Sequence, residues 1–95
     1  MAIRYEAEAE NDLRQVVLDG LAKGLPDPIN FVQQLRARIA TLATLPASGR
    51  VGRIAGTREW ALPGTPYVVV YIERTTVDVL RILHSRQQHA DLSAQ

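Results

Sequence analysis

Between Gly49 and Trp60 the chain reads Gly-Arg-Val-Gly-Arg-Ile-Ala-Gly-Thr-Arg-Glu-Trp, which sets three arginines (Arg50, Arg53, Arg58) among three glycines (Gly49, Gly52, Gly56). Arginine carries a planar fork of donors matched to phosphate or carboxylate, and glycine permits positive φ and close backbone approach. Such a stretch is either a positively charged binding loop or a solvated connection. A phosphate cradle of the P-loop kind is excluded, because a strand-forming segment follows the glycines rather than a helix bearing a lysine. Arg81 is the second unusual residue. Strict alternation through Val77 to Leu83 puts it on the face of Val77, Val79 and Leu83, so it must emerge at a sheet margin or meet a buried partner. His84 follows the same run and carries the mid-range pKa of the folded body, with His89 lying in the tail. It is either a general acid or base, or a ring that caps the strand end or bonds a neighbouring carbonyl. The two histidines, five residues apart and without cysteine, make an incomplete ligand set, so neither a metal nor a cofactor is expected.

Composition narrows the setting. Ninety-five residues make one domain with a single core, and an apolar share of 46% beside 22% charged residues is that of a globular chain rather than a disordered one. Zero cysteines exclude disulfides, thiolate metal sites and a cysteine nucleophile, and fit a reducing cytosol. The start, Met-Ala-Ile-Arg-Tyr-Glu, lacks an apolar signal core, and the Tyr67 to Ile72 run is far too short to span a bilayer, so a cytoplasmic location is expected. The net charge of +1 is too small to announce a nucleic-acid binder. Its distribution is uneven: residues 1–47 carry five basic and six acidic side chains, residues 48–95 six and four.

Several elements must position these side chains. Ala2 to Glu6 alternates, with Ile3 and Tyr5 on one face, as a short strand at a sheet margin does. From Ala7 the period becomes helical through Leu13, Val16, Val17 and Leu21, while Glu6, Glu8, Glu10 and Asp12 crowd the first turns, where the helix dipole favours negative charge. Gly24 is the expected C-terminal cap, and Gly20 within the pattern costs about 1 kcal/mol of propensity. Asp27 and Pro28 open a second helix as N-cap and first helical residue. Its seam is Val32, Leu35, Ile39 and Leu42, thickened by Ile29 and Phe31, and Pro46 ends it. The short connection predicts an αα-hairpin.

Beyond the arginine segment, Thr57 to Leu62 reads as a strand and Pro63 to Pro66 as a turn. Tyr67 to Ile72 is β-branched and aromatic throughout, as a central strand covered on both faces is. Tyr67 and Tyr71 are expected to pack in or beside it with hydroxyls at its edge, and Trp60 to join the core. Glu73 to Thr76 forms a hairpin turn and Val77 to Leu83 the last strand. Ser85 to Gln95 has weak periodicity and is expected to be short-helical, or frayed without a partner. The order β-α-α-β-β-β predicts an α+β domain over residues 1–88, a helical hairpin packed on a twisted antiparallel sheet, with residues 89–95 as a frayed tail. Periodicity does not say where the first strand pairs.

Four blocks, Leu45-Pro46-Ala47-Ser48-Gly49-Arg50-Val51-Gly52-Arg53, Gly56-Thr57-Arg58-Glu59, Pro66-Tyr67-Val68-Val69-Val70-Tyr71 and Val79-Leu80-Arg81-Ile82-Leu83-His84, resemble the signature of the ParE/RelE superfamily of toxins from type II toxin–antitoxin modules. The resemblance runs from Ala2 to about Gln88 and is closer to the ParE branch in Gly-Arg-x-Gly-Arg, Gly-Thr-Arg-Glu and the Leu-His ending. It implies the RelE/ParE-like fold and a small bacterial toxin neutralised by a cognate, ParD-like antitoxin in a hetero-oligomer. ParE-like members poison DNA gyrase without chemistry of their own, whereas RelE-like members cut messenger RNA on the ribosome. Non-toxic relatives that serve only as antitoxin-binding partners are a third possibility. The fold cannot choose among these functions.

Cleavage through a 2′-hydroxyl needs a base, an acid and a cation for the phosphorane charge. Glu59 or His84 would serve as base or acid, and Arg58, Arg81 or Arg53 as the cation. RelE-like nucleases generally supply a dense lysine and arginine set and often a tyrosine near the C-terminus. This chain has one lysine, Lys23, in its first half, and no tyrosine after Tyr71. The gyrase-binding reading is therefore preferred, with Arg50, Arg53, Arg58, Arg81, His84 and Arg86 as the residues that contact the target or meet acidic residues of the antitoxin.

Overall fold

The structure is a computed structural model and describes residues 1–86; the end of the predicted domain, the tail and His89 lie outside the described residues. Strand β1 (Ile3–Tyr5) leads into helices α1 (Ala7–Ala22) and α2 (Pro28–Ile39), and strands β2 (Arg50–Val51), β3 (Arg58–Ala61), β4 (Tyr67–Glu73) and β5 (Val77–His84) follow. The sheet order is β1-β5-β4-β3-β2, with the helical hairpin packed on one face. The α+β class and the helical hairpin agree with the sequence reading. The sheet is mixed rather than wholly antiparallel, because β1 runs parallel to β5, pairing Ile3 with Val77 and Tyr5 with Val79. Parallel neighbours need a long crossover, and the chain between Tyr5 and Val77 provides it.

Helix α1 starts without a side-chain cap at Glu6, and Glu8 and Glu10 in its first turn complement the dipole. Ala9, Leu13 and Val16 point into the core, whereas Leu18 and Leu21 are exposed, so the apolar stripe is narrower than its spacing predicted. Gly24, at φ +77°, ends the helix as expected. Gly20 has a packing reason: a Cβ there would lie 2.9 Å from Pro28 Cβ and 3.1 Å from a Leu25 methyl. The connection and the first residue of α2 pack against this position, and only glycine fits without displacement. At the start of α2, Asp27 Oδ1 accepts the Asn30 N–H at 3.0 Å, with Pro28 in the first turn.

Val32, Leu35 and Ile39 form the buried seam of α2, and a 3₁₀ turn at Ala40–Ala43 carries Leu42 into the core before Pro46. Phe31 packs against the core, but Ile29 is exposed and does not extend the seam. Arg36 ties the layers together: its guanidinium lies 4.8 Å above the Tyr5 ring and 2.5 Å from Glu10 Oε1.

Between the helices and the sheet lies one continuous core, in which Leu13, Leu35, Ile39 and Leu42 meet Val69, Tyr71, Val77, Val79 and Ile82. The opposite face of the sheet has a separate pair, Val70 and Leu83. A β-bulge divides these sets on β5: Val70 pairs with Arg81, yet Tyr71 pairs with Val79, so Leu80 is the extra residue. The bulge reverses the alternation. Arg81 consequently shares its face with Leu83 but not with Val77 and Val79, contrary to the strict period-two reading.

Candidate functional site

The arginine segment is folded back on the sheet rather than left as an open loop. Its first support is Tyr71, a buried tyrosine on β4 whose hydroxyl donates to Pro46 O at 2.6 Å and accepts the Gly49 N–H at 2.9 Å. Burial pushes the Tyr71 phenol above its ordinary value, opposed by the Gly49 bond and by the positive charge of Arg58. Gly49 is required by this contact, since a Cβ would lie 2.8 Å from the Tyr71 oxygen. The two residues that follow form β2, a strand that sequence alone did not reveal, paired Arg50 to Glu59 and Val51 to Arg58.

Beyond β2 the chain closes a six-residue loop upon itself. The Gly52 N–H donates to Thr57 O at 2.8 Å, the Thr57 hydroxyl donates to Ile54 O at 2.6 Å, and Gly56 takes φ +82°. Beneath it lies Glu59, 3% exposed, whose Oε2 accepts the Arg53 N–H at 3.0 Å while Oε1 accepts Arg50 Nη2 at 3.1 Å. The Arg50 side chain remains 67% exposed, so its other guanidinium nitrogens face outward. A carboxylate engaged in this way is a structural acceptor, and a base for a 2′-hydroxyl would need to reach solvent.

The other predicted residues are spread over the molecule. Arg58 stands on the helix-facing side of β3, paired with Tyr71, where Nη1 donates to Gly49 O at 2.9 Å and Nε lies 3.6 Å from Glu73 Oε1. Arg81 falls in a row with Val70 and Glu59 across three strands. Its guanidinium grips Asp12 of α1, with Nε to Oδ2 at 2.8 Å and Nη2 to Oδ1 at 3.1 Å, and Glu8 lies 3.7 Å from Nη1. Asp12 Oδ2 also accepts the Ile82 N–H at 2.9 Å, covering the outer edge of β5 where β1 has ended.

His84 is on the helix-facing side near the far end of β5. Its ring meets the Tyr67 ring edge-on at 5.8 Å, Tyr67 meets Phe31 at 6.3 Å, and His84 Nδ1 accepts the Arg86 N–H at 3.1 Å. Through this bond the ring caps the turn that follows the strand end. A groove of about 340 Å³ beside His84 and Arg86 is also lined by Asp12, Asp19 and Lys23. The structure therefore gathers Arg50, Arg53 and Glu59 into one loop assembly and leaves Arg58, Arg81 and His84 in three separate settings. Among the described residues no group of three metal-ligating side chains comes together.

Three participants have roles that the sequence alone does not reveal. From its position Asp12 is one of the charges near the helix start, and nothing in its spacing points to Arg81, 69 residues away. The sequence places Tyr71 on the central strand, but its role as the anchor of the Pro46 to Gly49 turn depends on tertiary position. Glu73 likewise carries no local signal for Arg58.

With this geometry in place, comparison with known proteins identifies the lineage. The family model described as the ParE toxin of the parDE type II toxin–antitoxin system matches residues 3–89. The chain belongs to the ParE toxin family. A Sinorhizobium fredii (strain NBRC 101917 / NGR234) protein named as a candidate toxin, Y4kP, is 40% identical over 57 residues, which are 60% of this chain and 59% of that relative. The chain thus matches less than two thirds of that relative's length. A solved chain described as the chromosomal ParDE system from P. aeruginosa superposes with a TM-score of 0.78, covering 88% of this chain and 95% of its own, at 19% identity. That likeness is one of fold. Among the described residues of this ParE-family chain, no helix is long and apolar enough to cross a membrane.

Proposed function

We propose that this ParE-family chain inhibits DNA gyrase by binding to it, and that a ParD-like antitoxin neutralises it. The observation that carries the reading is the dispersal of the residues RNA cleavage would need: Glu59 is buried under Arg50 and the Arg53 N–H, Arg81 is held by Asp12, Arg58 by Gly49 O, and His84 by Tyr67 and Arg86. Acid–base catalysis requires a base and an acid within reach of one reacting group, and the register puts Glu59 and His84 on opposite faces of the sheet. Binding requires only an exposed and well-held surface. The Arg50 and Arg53 loop supplies one, with the end of β5 through His84 and Arg86 as a second contact.

The antitoxin reading draws on two features. Arg50 presents an exposed guanidinium to acidic residues, and Leu18, Leu21 and Ile29 leave apolar side chains uncovered on the helical hairpin, where an amphipathic segment would lay its anchors. The reading is tested by assaying gyrase supercoiling and ribosomal messenger RNA cleavage in parallel, each with and without the antitoxin. Inhibited supercoiling with intact message, reversed by antitoxin, is the expected result. Cut message with untouched supercoiling would replace this reading with the endoribonuclease one, and a growth-neutral chain that still binds antitoxin would make it a non-toxic partner.

A further inference from the structure

We propose that Glu59 is the positioning residue of the arginine loop: its buried carboxylate fixes residues 52–57 in one conformation so that Arg50 and Arg53 are presented together to the target. This deepens, and rests on, the reading of that loop as the target-binding surface. The loop's closure comes from within, through Gly52 N–H to Thr57 O and the Thr57 hydroxyl to Ile54 O. Its base is carried by the β2–β3 ladder. Among the described residues, the side chain that reaches from the sheet to the loop backbone at Arg53 is Glu59, a β3 residue paired with Val70 of β4, which accepts the Arg53 N–H at 3.0 Å and Arg50 Nη2 at 3.1 Å.

A solvated loop connection does not call for a 3% exposed carboxylate. Burying a carboxylate is costly unless its oxygens are met, and here the loop backbone meets one and Arg50 the other. The arrangement makes sense where the loop must already be ordered before it meets its partner. An ordered binding loop avoids losing conformational freedom at the moment of association, and that saving appears as affinity. A carboxylate also suits the task better than a neutral acceptor, because it receives the backbone of Arg53 with one oxygen and the side chain of Arg50 with the other, coupling the two arginines. The remaining Arg50 donors stay directed outward.

The test uses the full chain as wild type, Glu59→Gln and Glu59→Ala. Amide exchange at Arg53 reports the loop, amides of β4 report the fold, and growth arrest and supercoiling inhibition report function. Glutamine keeps an oxygen for the Arg53 N–H and loses the charge opposite Arg50; alanine loses both. With β4 protected in all three, we expect Arg53 exchange to rise by about tenfold or more in Glu59→Ala, the factor for one lost hydrogen bond to a charged acceptor, and to rise less in Glu59→Gln. Toxic potency should fall in the same order, with Glu59→Gln partly rescuing. Unchanged Arg53 exchange in Glu59→Ala would overturn the proposal, and so would a freed loop with undiminished growth arrest. Loss of β4 protection in Glu59→Ala shifts the decision to Glu59→Gln, where potency must fall together with faster Arg53 exchange for the proposal to stand. Wild-type chain that arrests growth without inhibiting gyrase would refute the choice of target while exchange and growth still decide the role of Glu59. Wild-type chain that does neither would overturn both.

Discussion

Asp12 and Arg81 stand 69 residues apart in the chain and make a two-point ion pair, 2.8 Å and 3.1 Å, that joins the second turn of α1 to the outer edge of β5. The same carboxylate accepts the Ile82 N–H, so it serves as a backbone partner where β1 has ended. Arg81 is therefore part of the fold's framework.

Removing either partner should cost stability. We expect Arg81→Ala to lose about 1–3 kcal/mol, and Asp12→Ala more, because it also strands the Ile82 N–H. Urea denaturation of both single variants and the double variant would show a coupling of about 1 kcal/mol or more, as residues in one network do. Independent, additive effects would contradict the pairing. Loss of toxicity in Arg81→Ala is interpretable only after its stability is known.

Tyr71→Phe removes a hydroxyl that serves two backbone groups, leaving the Gly49 N–H and Pro46 O without their partner. The expected loss is about 1–3 kcal/mol, read as a lower denaturation midpoint at unchanged slope.

Alkaline pH gives a second reading of the tyrosines. Tyr5, Tyr67 and Tyr71 are each raised above their ordinary 10.0, chiefly by burial. Their unfolded forms ionise first, so the stability they contribute is complete below pH 10.0 and is lost as pH rises through the folded values. The denaturation midpoint should fall above pH 10.0, less steeply in Tyr71→Phe. A midpoint that rose with pH there would reverse the assigned sign.

Gly20→Ala sets helix propensity against packing. Alanine would gain about 1 kcal/mol in an open helix, but the new Cβ meets Pro28 Cβ at 2.9 Å, so overpacking of about 1–3 kcal/mol should win and lower the melting temperature. A stabilised variant would show that the two helices can separate at little cost.

What could be read from the sequence was what short-range physics determines. Asp27 and Pro28 declare a helix start because a cap and a fixed φ act within one turn, and Tyr67 to Ile72 declares a buried strand through its unbroken β-branched and aromatic run. The mixed sheet, β2 and the bulge at Leu80 were not readable. Two residues such as Arg50 and Val51 have no period to detect, and a bulge is defined by the partner strand. The candidate site was half legible: glycines and arginines marked the loop, but Glu59 beneath Arg53, Tyr71 beneath Gly49 and Asp12 against Arg81 depend on contacts made only after folding.

The most direct measurement is gyrase supercoiling inhibition by wild type and by Arg50→Ala/Arg53→Ala, with thermal unfolding alongside. Arg50 on β2 is 67% exposed but the Glu59 carboxylate it meets is 1% exposed, so the double variant should lose about 1–3 kcal/mol and is compared at a temperature where thermal unfolding shows it folded. The account predicts wild-type inhibition and a double variant that needs about tenfold or more protein for the same effect, corresponding to about 1.4 kcal/mol of binding. A folded double variant that inhibits gyrase at the wild-type concentration would contradict it.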